Sequence, residues 1–493
     1  MLDSRTLILS AVLACSSATA GLLPVGSQRQ FFFDDSIIET TQNTMRRLNP
    51  AVKVSPNPII KADKPWEHPV MWIAWVFFDQ KLGKFRMRYT TGGAPTATRN
   101  AQGQIVENDG GAGNLCEAFS VDGIHWEKPS LGLVTFEGST SNNIIPPEMH
   151  MAYFFQDLHD PDPARRYKAH VRKGEIDQPG MTFSYYYSAD CYLWTAYEKN
   201  PTINNGEHVG RWGPTDFIGW DPIRKTYAVH MENNLHMNSA YKRRSIGRAE
   251  SPDMITWSEP ETIIVADNKD FPDTEFYTLP VAFHEGWYLG LLWNFSTANM
   301  TVVPHFVFSR DGVHYNRDYR QPVISLGSNG SFDSAVVYCD APPIIHNGEI
   351  LCFYTGSDWR SNEQLVSMEK GNAGIGLAKL PLDGFVSFDG ARLEYSVVTT
   401  RSLTVAGDAL YLSMKAAFKD VASEPCDVRV ELLDGRLNPI KGYTFADSDV
   451  VSTTGSNQKI SWKGNSSVKA LTNKPLRVKF YFKNAKLFAF QFK

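Results

Sequence analysis

Five acidic positions, Glu67, Glu148, Asp216, Glu275 and Asp333, each stand just ahead of an apolar run. Two carry a histidine, in Trp66-Glu67-His68 and Glu148-Met149-His150, and one is doubled in Asp273-Thr274-Glu275. Carboxyl pairs can cleave a glycosidic bond. One donates a proton to the leaving oxygen, and the other activates water or attacks the anomeric carbon. A third carboxylate nearby raises the pKa of the acid by like-charge repulsion. On that scheme Glu67 is expected as base or nucleophile, Asp216 as pKa modulator and Glu275 as acid. The expected substrate-binding set is His68, Glu148, His150, Asp273, His305, Asp333, Trp359 and Arg360. Asp273 and Asp333 stand in reserve for the catalytic roles, and Glu117 joins His305 at the starts of third strands.

The elements that must position these groups announce themselves through a repeat. Ser120-Val-Asp-Gly-Ile-His-Trp126, Ser188-Ala-Asp-Cys-Tyr-Leu-Trp194, Ser251-Pro-Asp-Met-Ile-Thr-Trp257 and Ser309-Arg-Asp-Gly-Val-His-Tyr315 share Ser-x-Asp-x-x-x-aromatic. A period of roughly sixty residues signals a repeat architecture. Ser, Asp and Gly make the turn by side-chain to backbone hydrogen bonds, so these Asp residues are expected to be structural. Each unit also holds two apolar runs around a tight turn, and five such turns fall near Asp79, Asp162, Asp221, His284 and His346. Helical periodicity is nearly absent, and short Val, Ile, Phe, Tyr and Trp runs alternate with Gly, Pro, Asn and Asp clusters. That is an all-β pattern.

In each unit the first run is apolar on both faces, as in Met71–Phe78, Phe276–Phe283 and Ala335–Ile345. Such a strand is buried on both faces. Four antiparallel strands per unit with the first most buried describe a propeller blade. The expected architecture is a five-bladed β-propeller over residues 30–395, with Gln30–Ile38 as the outer strand that closes the ring. Residues 396–493 lack the repeat and suit a small β-sandwich. First-strand starts and the long loops after second strands meet at one mouth of the channel, where binding sites form. Asp79, Asp162 and Asp221 fall at the opposite face and are expected to be structural.

A formal net charge of -4 argues against a nucleic-acid partner, which wants a basic field. Residues 1–20 resemble an export signal: Arg5, the apolar run Leu7–Ala14, and Ala18-Thr-Ala20 as cleavage site. The run is too short to span a bilayer. The product is expected to be secreted or periplasmic, with lipid anchoring through Cys15 as the alternative. The other cysteines show no CxxC spacing and predict no metal site. Cys339 and Cys352 are read either as a hairpin pair or as buried thiols. No cofactor is required, a structural Ca²⁺ in the channel is left open, and a monomer is expected.

Five stretches resemble the five-bladed propeller glycosidases of glycoside hydrolase families 32 and 43 and related secreted proteins of planctomycete type. They are Phe33-Asp-Asp-Ser-Ile-Ile-Glu39, Lys64-Pro-Trp-Glu67, Ser120 through Pro129, Asn142-Asn-Ile-Ile145 and Gly374-Ile-Gly-Leu-Ala378. The C-terminal module resembles the β-sandwich appended to family 32 enzymes. The resemblance implies a secreted glycoside hydrolase acting on a polysaccharide or oligosaccharide. The chain departs from the families' triad, because Glu67 stands where an Asp is usual, and Trp-Met-Asn-Asp-Pro and Glu-Cys motifs are missing. Two other outcomes are a non-catalytic carbohydrate-binding propeller and a sialidase-like enzyme. The latter needs three arginines with a tyrosine nucleophile.

Overall fold

In this computed structural model the described residues are 22–493, apart from 69, 93–95, 100–104, 109–112, 147–148, 150–151, 174–180, 205–214, 234–242, 361–371 and 418–424. Regular structure among them is strand with a few 3-10 turns, so the all-β expectation holds. Contacts divide the chain into two units, one of residues 47–387 and one that joins the N-terminal residues to 388–493.

The larger unit repeats one antiparallel group of strands five times. Group one is Val70–Asp79, Lys84–Gly92 and Asn114–Ser120; group two runs from Ala152–Gln156 to Thr195–Ala196; group three runs from Thr215–Asp221 to Glu261–Ile264. Groups four and five, centred on Trp287–Ser296 and Glu349–Ser357, share one nine-stranded sheet, joined by the single parallel pair Val302↔Val336. One cavity of about 460 Å³ is lined by first-strand ends of all five groups, including Phe77, Phe155, Trp220, Phe283 and Ile344. The first strands therefore surround a common axis, as their two-faced apolarity predicts.

Two first strands are interrupted where continuous runs are expected. Phe276–Phe283 divides into Thr274–Phe276 and Val281–His284, and Ala335–Ile345 into Val336–Tyr338 and Ile344–His346. Pro280 and the pair Pro342-Pro343 lie in the gaps. Proline has no N–H to give to a ladder, so Cys339, Asp340 and Ala341 leave the sheet.

The Ser-x-Asp turns form as the residues require. Ser120 Oγ accepts from Gly123 N (2.8 Å), Asp122 Oδ1 accepts from Ile124 N and His125 N (both 2.8 Å), and Trp126 Nε1 donates to Gly123 O (3.0 Å). The other three copies keep the Ser and Asp bonds. The aromatic of each turn reaches the preceding group. Trp194 lies under Arg88 (6.0 Å), Trp257 meets His170 edge-on (5.2 Å), Tyr315 meets His230 (6.1 Å), and Trp126 meets Phe353 (5.8 Å). The last of these joins group five to group one.

A second stitch lies at the far ends of the first strands. Asp79, Asp157 and Asp221 are buried, and each accepts a tyrosine hydroxyl of the next group: Tyr167, Tyr227 and Tyr288, all at 2.7 Å. Each also faces a cation of its own group: Arg86, Lys168 or Arg248. The register of Asp79 and Asp221 is thus filled in group two by Asp157. Asp162 instead caps the short turn Pro163–Arg165, accepting from Ala164 N at 2.9 Å.

The smaller unit holds two six-stranded sheets over one core that includes Val398, Val430, Phe480, Leu412, Met414 and Phe490. The ring-closing role expected of Gln30–Ile38 is corrected here. Gln30–Phe31 pairs with Ala485–Phe492, and Ile38–Gln42 pairs with Ser396–Thr400. The reason is burial: Phe32 packs edge-on to Phe388 and Phe480 and completes this unit's core. The strand that covers the last sheet of the larger unit is Val52–Lys53, paired with Ala378 and Lys379. The boundary expected between 395 and 396 falls at 387–388, and the N-terminal strands belong with the C-terminal ones. Cys116, Cys191, Cys339, Cys352 and Cys426 are free and buried.

Candidate active site

Glu67 is not at the mouth. Its side chain is buried, Oε1 accepts from Tyr89 OH (2.6 Å), and Oε2 accepts from Lys128 Nζ (2.7 Å), Asp63 N (2.9 Å) and Lys64 N (3.2 Å). Asn143 donates to Tyr89 OH (2.8 Å) and accepts from Trp66 Nε1 (2.7 Å). Three of the stretches that carry the family resemblance therefore meet in one buried knot. A carboxylate with its lone pairs so engaged has none to offer a water or a sugar, and Glu67 leaves the catalytic trio on that ground. Glu117 is likewise buried between Arg86 and Arg88, which hold its carboxyl low against the opposing effect of burial.

The other expected residues are scattered. Asp216 heads the first strand of group three, paired with His230, and its side chain lies outside the described residues. Glu148 and His150 lie outside them entirely. His68 is half-buried and engaged, and Arg360 is exposed. Asp273 accepts from Ser296 Oγ (2.5 Å) and Ala298 N (3.2 Å), bonds that hold its carboxyl low and tie down a loop. Asp333 is buried and takes Lys53 Nζ (2.6 Å), Tyr354 OH (2.8 Å) and Ser331 Oγ (2.9 Å). His305 is buried beside Asp270, Arg317 and Arg320. Loss of water, then the nearby Arg317, lowers its pKa to about 4. Asp333 and His305 are thus committed to packing within the unit.

Glu275 does head the first strand of group four. Its Oε2 meets Arg244 Nη1 at 2.6 Å, Arg244 Nε meets Glu232 Oε1 at 3.2 Å, and the guanidinium lies 5.2 Å over the Tyr277 ring. An ion-paired carboxylate is a poor proton donor, so the acid role assigned to Glu275 does not fit its setting. Tyr277 also packs against a buried aromatic cluster. Tyr277 stacks on Phe295 (4.6 Å), and Trp293, two residues before Phe295, packs on Tyr338 at 4.6 Å.

Trp293 and Tyr338 also line a cavity of about 190 Å³, together with Met71, Asp340, Thr355, Ser357 and Trp359. These residues come from the starts of first strands, the ends of second strands and the loop after them, so this is the mouth opposite the larger cavity. Trp359, expected in the substrate-binding set, lines this cavity. It is buried, and its Nε1 has no hydrogen-bond partner among the described residues. Leaving such a donor unmet costs about 1–3 kcal/mol, which a ligand acceptor would relieve.

Asp340 is the residue missed by pattern. Its Oδ2 accepts from Thr355 Oγ1 (2.9 Å), which itself accepts from Ile73 N (2.9 Å). Protein walls the carboxyl, and what exposure it keeps is to the cavity it lines. Burial pushes its pKa up to about 8, against a smaller lowering by the Thr355 bond. A carboxylic acid protonated at neutral pH is a ready proton donor. The signal was present as an acidic residue inside an apolar run, two places before a proline pair.

Among the described residues no cluster of three or more His, Cys, Asp or Glu could hold a metal ion, and no helix is long and apolar enough to cross a membrane.

No family model matches the sequence, and no curated protein matches it. Solved structures do resemble it at low identity. A β-1,2-mannobiose phosphorylase from Listeria innocua, in complex with β-1,2-mannobiose, is 13% identical over 67% of this chain and 96% of its own, with a TM-score of 0.43. A fructofuranosidase from Schwanniomyces occidentalis, complexed with fructosylnystose, is 9% identical over 92% of this chain and 98% of its own, with a TM-score of 0.39. An N-acetylgalactosamine deacetylase from F. plautii, in complex with blood group B trisaccharide, is 15% identical over 74% and 96%, with a TM-score of 0.38.

Proposed function

We propose that the chain is a five-bladed propeller glycoside hydrolase that binds a sugar in the cavity of about 190 Å³. The observation that carries this is the cavity itself. Three aromatic rings, Trp293, Tyr338 and Trp359, wall a space that also holds a carboxyl group and an unmet indole donor. Aromatic faces stack on the apolar faces of pyranose rings, and a few placed polar groups fix orientation.

The test is a screen of the protein on plant and algal polysaccharides and aryl glycosides, with reducing-end release and tryptophan quenching as readouts. For a sugar that is turned over, Trp359→Ala should raise KM roughly tenfold, the equivalent of losing about 1.4 kcal/mol of binding. No turnover by the wild type, or an unchanged KM in the variant, would contradict the proposal. Binding without turnover would leave a carbohydrate-binding propeller.

A further inference from the structure

We infer that Asp340 is the proton donor to the departing oxygen, and that the cavity holds one terminal sugar ring with Trp359 Nε1–H bound to it. The inference rests on the glycoside hydrolase proposed above and assigns its chemistry to a residue outside the expected trio.

Geometry carries it first. Pro342-Pro343 lifts Asp340 out of the sheet and turns it to the cavity. Among the described residues no cation pairs with it, unlike Glu67, Glu275 and Asp333. Its Oδ2 is held by Thr355, which is itself fixed by the backbone of Ile73, so the carboxyl has a set orientation. The raised pKa agrees, because an acid must hold its proton until the bond breaks.

Size sets the mode of attack. A cavity of about 190 Å³ is smaller than the roughly 300–1,000 Å³ of drug-sized sites. We assign it to a single hexose-sized ring at a chain end. The substrate class is therefore an oligosaccharide or chain end, from which one sugar is removed at a time.

The step balances as a hydrolysis. The anomeric carbon–oxygen bond breaks, its electron pair stays on the leaving oxygen, and that oxygen takes the Asp340 proton. Water adds to the anomeric carbon and gives one proton to solvent, and Asp340 takes a proton back from solvent, which restores the starting state.

The experiment compares wild type with Asp340→Asn on two substrates that share a sugar, one with an alkyl or sugar leaving group and one with an acidic nitrophenol. A general acid contributes about 10²–10⁴-fold. The variant should lose that factor in kcat on the first substrate and little on the second, whose leaving group needs no proton. Wild-type products from a longer oligosaccharide should be single sugars from the start. Asp340→Glu serves as the second variant and should recover part of the rate if the acid function is what was lost. Equal losses on both substrates, or full activity of Asp340→Asn on the first, would overturn the donor role. Early release of internal fragments would overturn the single-ring mode. Absence of any turnover by the wild type would instead bring down the hydrolase itself.

Discussion

At the residue scale, this protein separates carboxylates that hold the fold from one that is free to react, and the separation lies in their partners. Glu67 faces Lys128 in a buried pair. Removing one partner of such a pair costs about 3–5 kcal/mol. Glu67→Gln should therefore destabilise by about that much in urea unfolding, while kcat of the folded fraction stays unchanged. A base or nucleophile at this position would instead lose kcat with stability kept. The buried histidines set the acid limit. Burial lowers His170 and His305 to about 4 and His230 to about 3. Unfolded, each takes its proton near pH 6.5. The unfolded state thus binds more protons below that value, and stability falls as pH drops from about 6.5 towards 4. Urea titrations across this range should give a slope approaching one proton per histidine, and His170→Phe should reduce it.

At the element scale, the repeated turns are inter-group stitches. Each aromatic packs on the second strand of the preceding group, and three buried Asp residues accept a tyrosine from the following one. A hydrogen bond to a charged group contributes about 1.5–3 kcal/mol. Tyr227→Phe, which removes the hydroxyl that donates to Asp157 and accepts from Lys168, should lower stability by at least that amount in thermal or urea unfolding. A change below about 0.5 kcal/mol would show that the remaining partners of Asp157, Lys168 and the backbone of His159 and Asp160, satisfy it. The turns themselves were readable from Ser, Asp and aromatic spacing, and their conformation explains a detail of the pattern. Gly123 and Gly312 have φ of +76°, and Cys191 and Met254 adopt the same left-handed backbone (72° and 70°) at the same position. Gly123→Ala should cost about 1–2 kcal/mol for the left-handed backbone, with the Phe353 ring 3.2 Å from the added carbon.

At the scale of the whole chain, alternation and apolar runs made the β architecture and its repeat legible, because pleat and burial act on every residue of a strand. The site was less legible. Whether Glu67 meets a lysine from sixty residues away depends on tertiary pairing, which strand periodicity does not encode. Trp359 was found because long loops after second strands gather at one mouth. Asp340 was passed over because it lay inside a run read as one strand, and only the proline pair hinted at the break. The N-terminal Phe31-Phe32-Phe33 was read as part of an outer strand that closes the ring, but apolarity alone does not say which core it fills.

The carboxyl of Asp340 decides whether the cavity it lines is built for acid catalysis. The adjacent buried Cys339 thiol is pushed well up by burial, so it does not compete near neutrality. Infrared difference spectra of wild type minus Asp340→Asn, recorded from pH 5 to 9, report the protonated carbonyl directly. The expected result is an acid band present at pH 7 that disappears with a midpoint near 8. A band already gone by pH 5 would mean an ionised carboxylate, and Asp340 could not then be the proton donor.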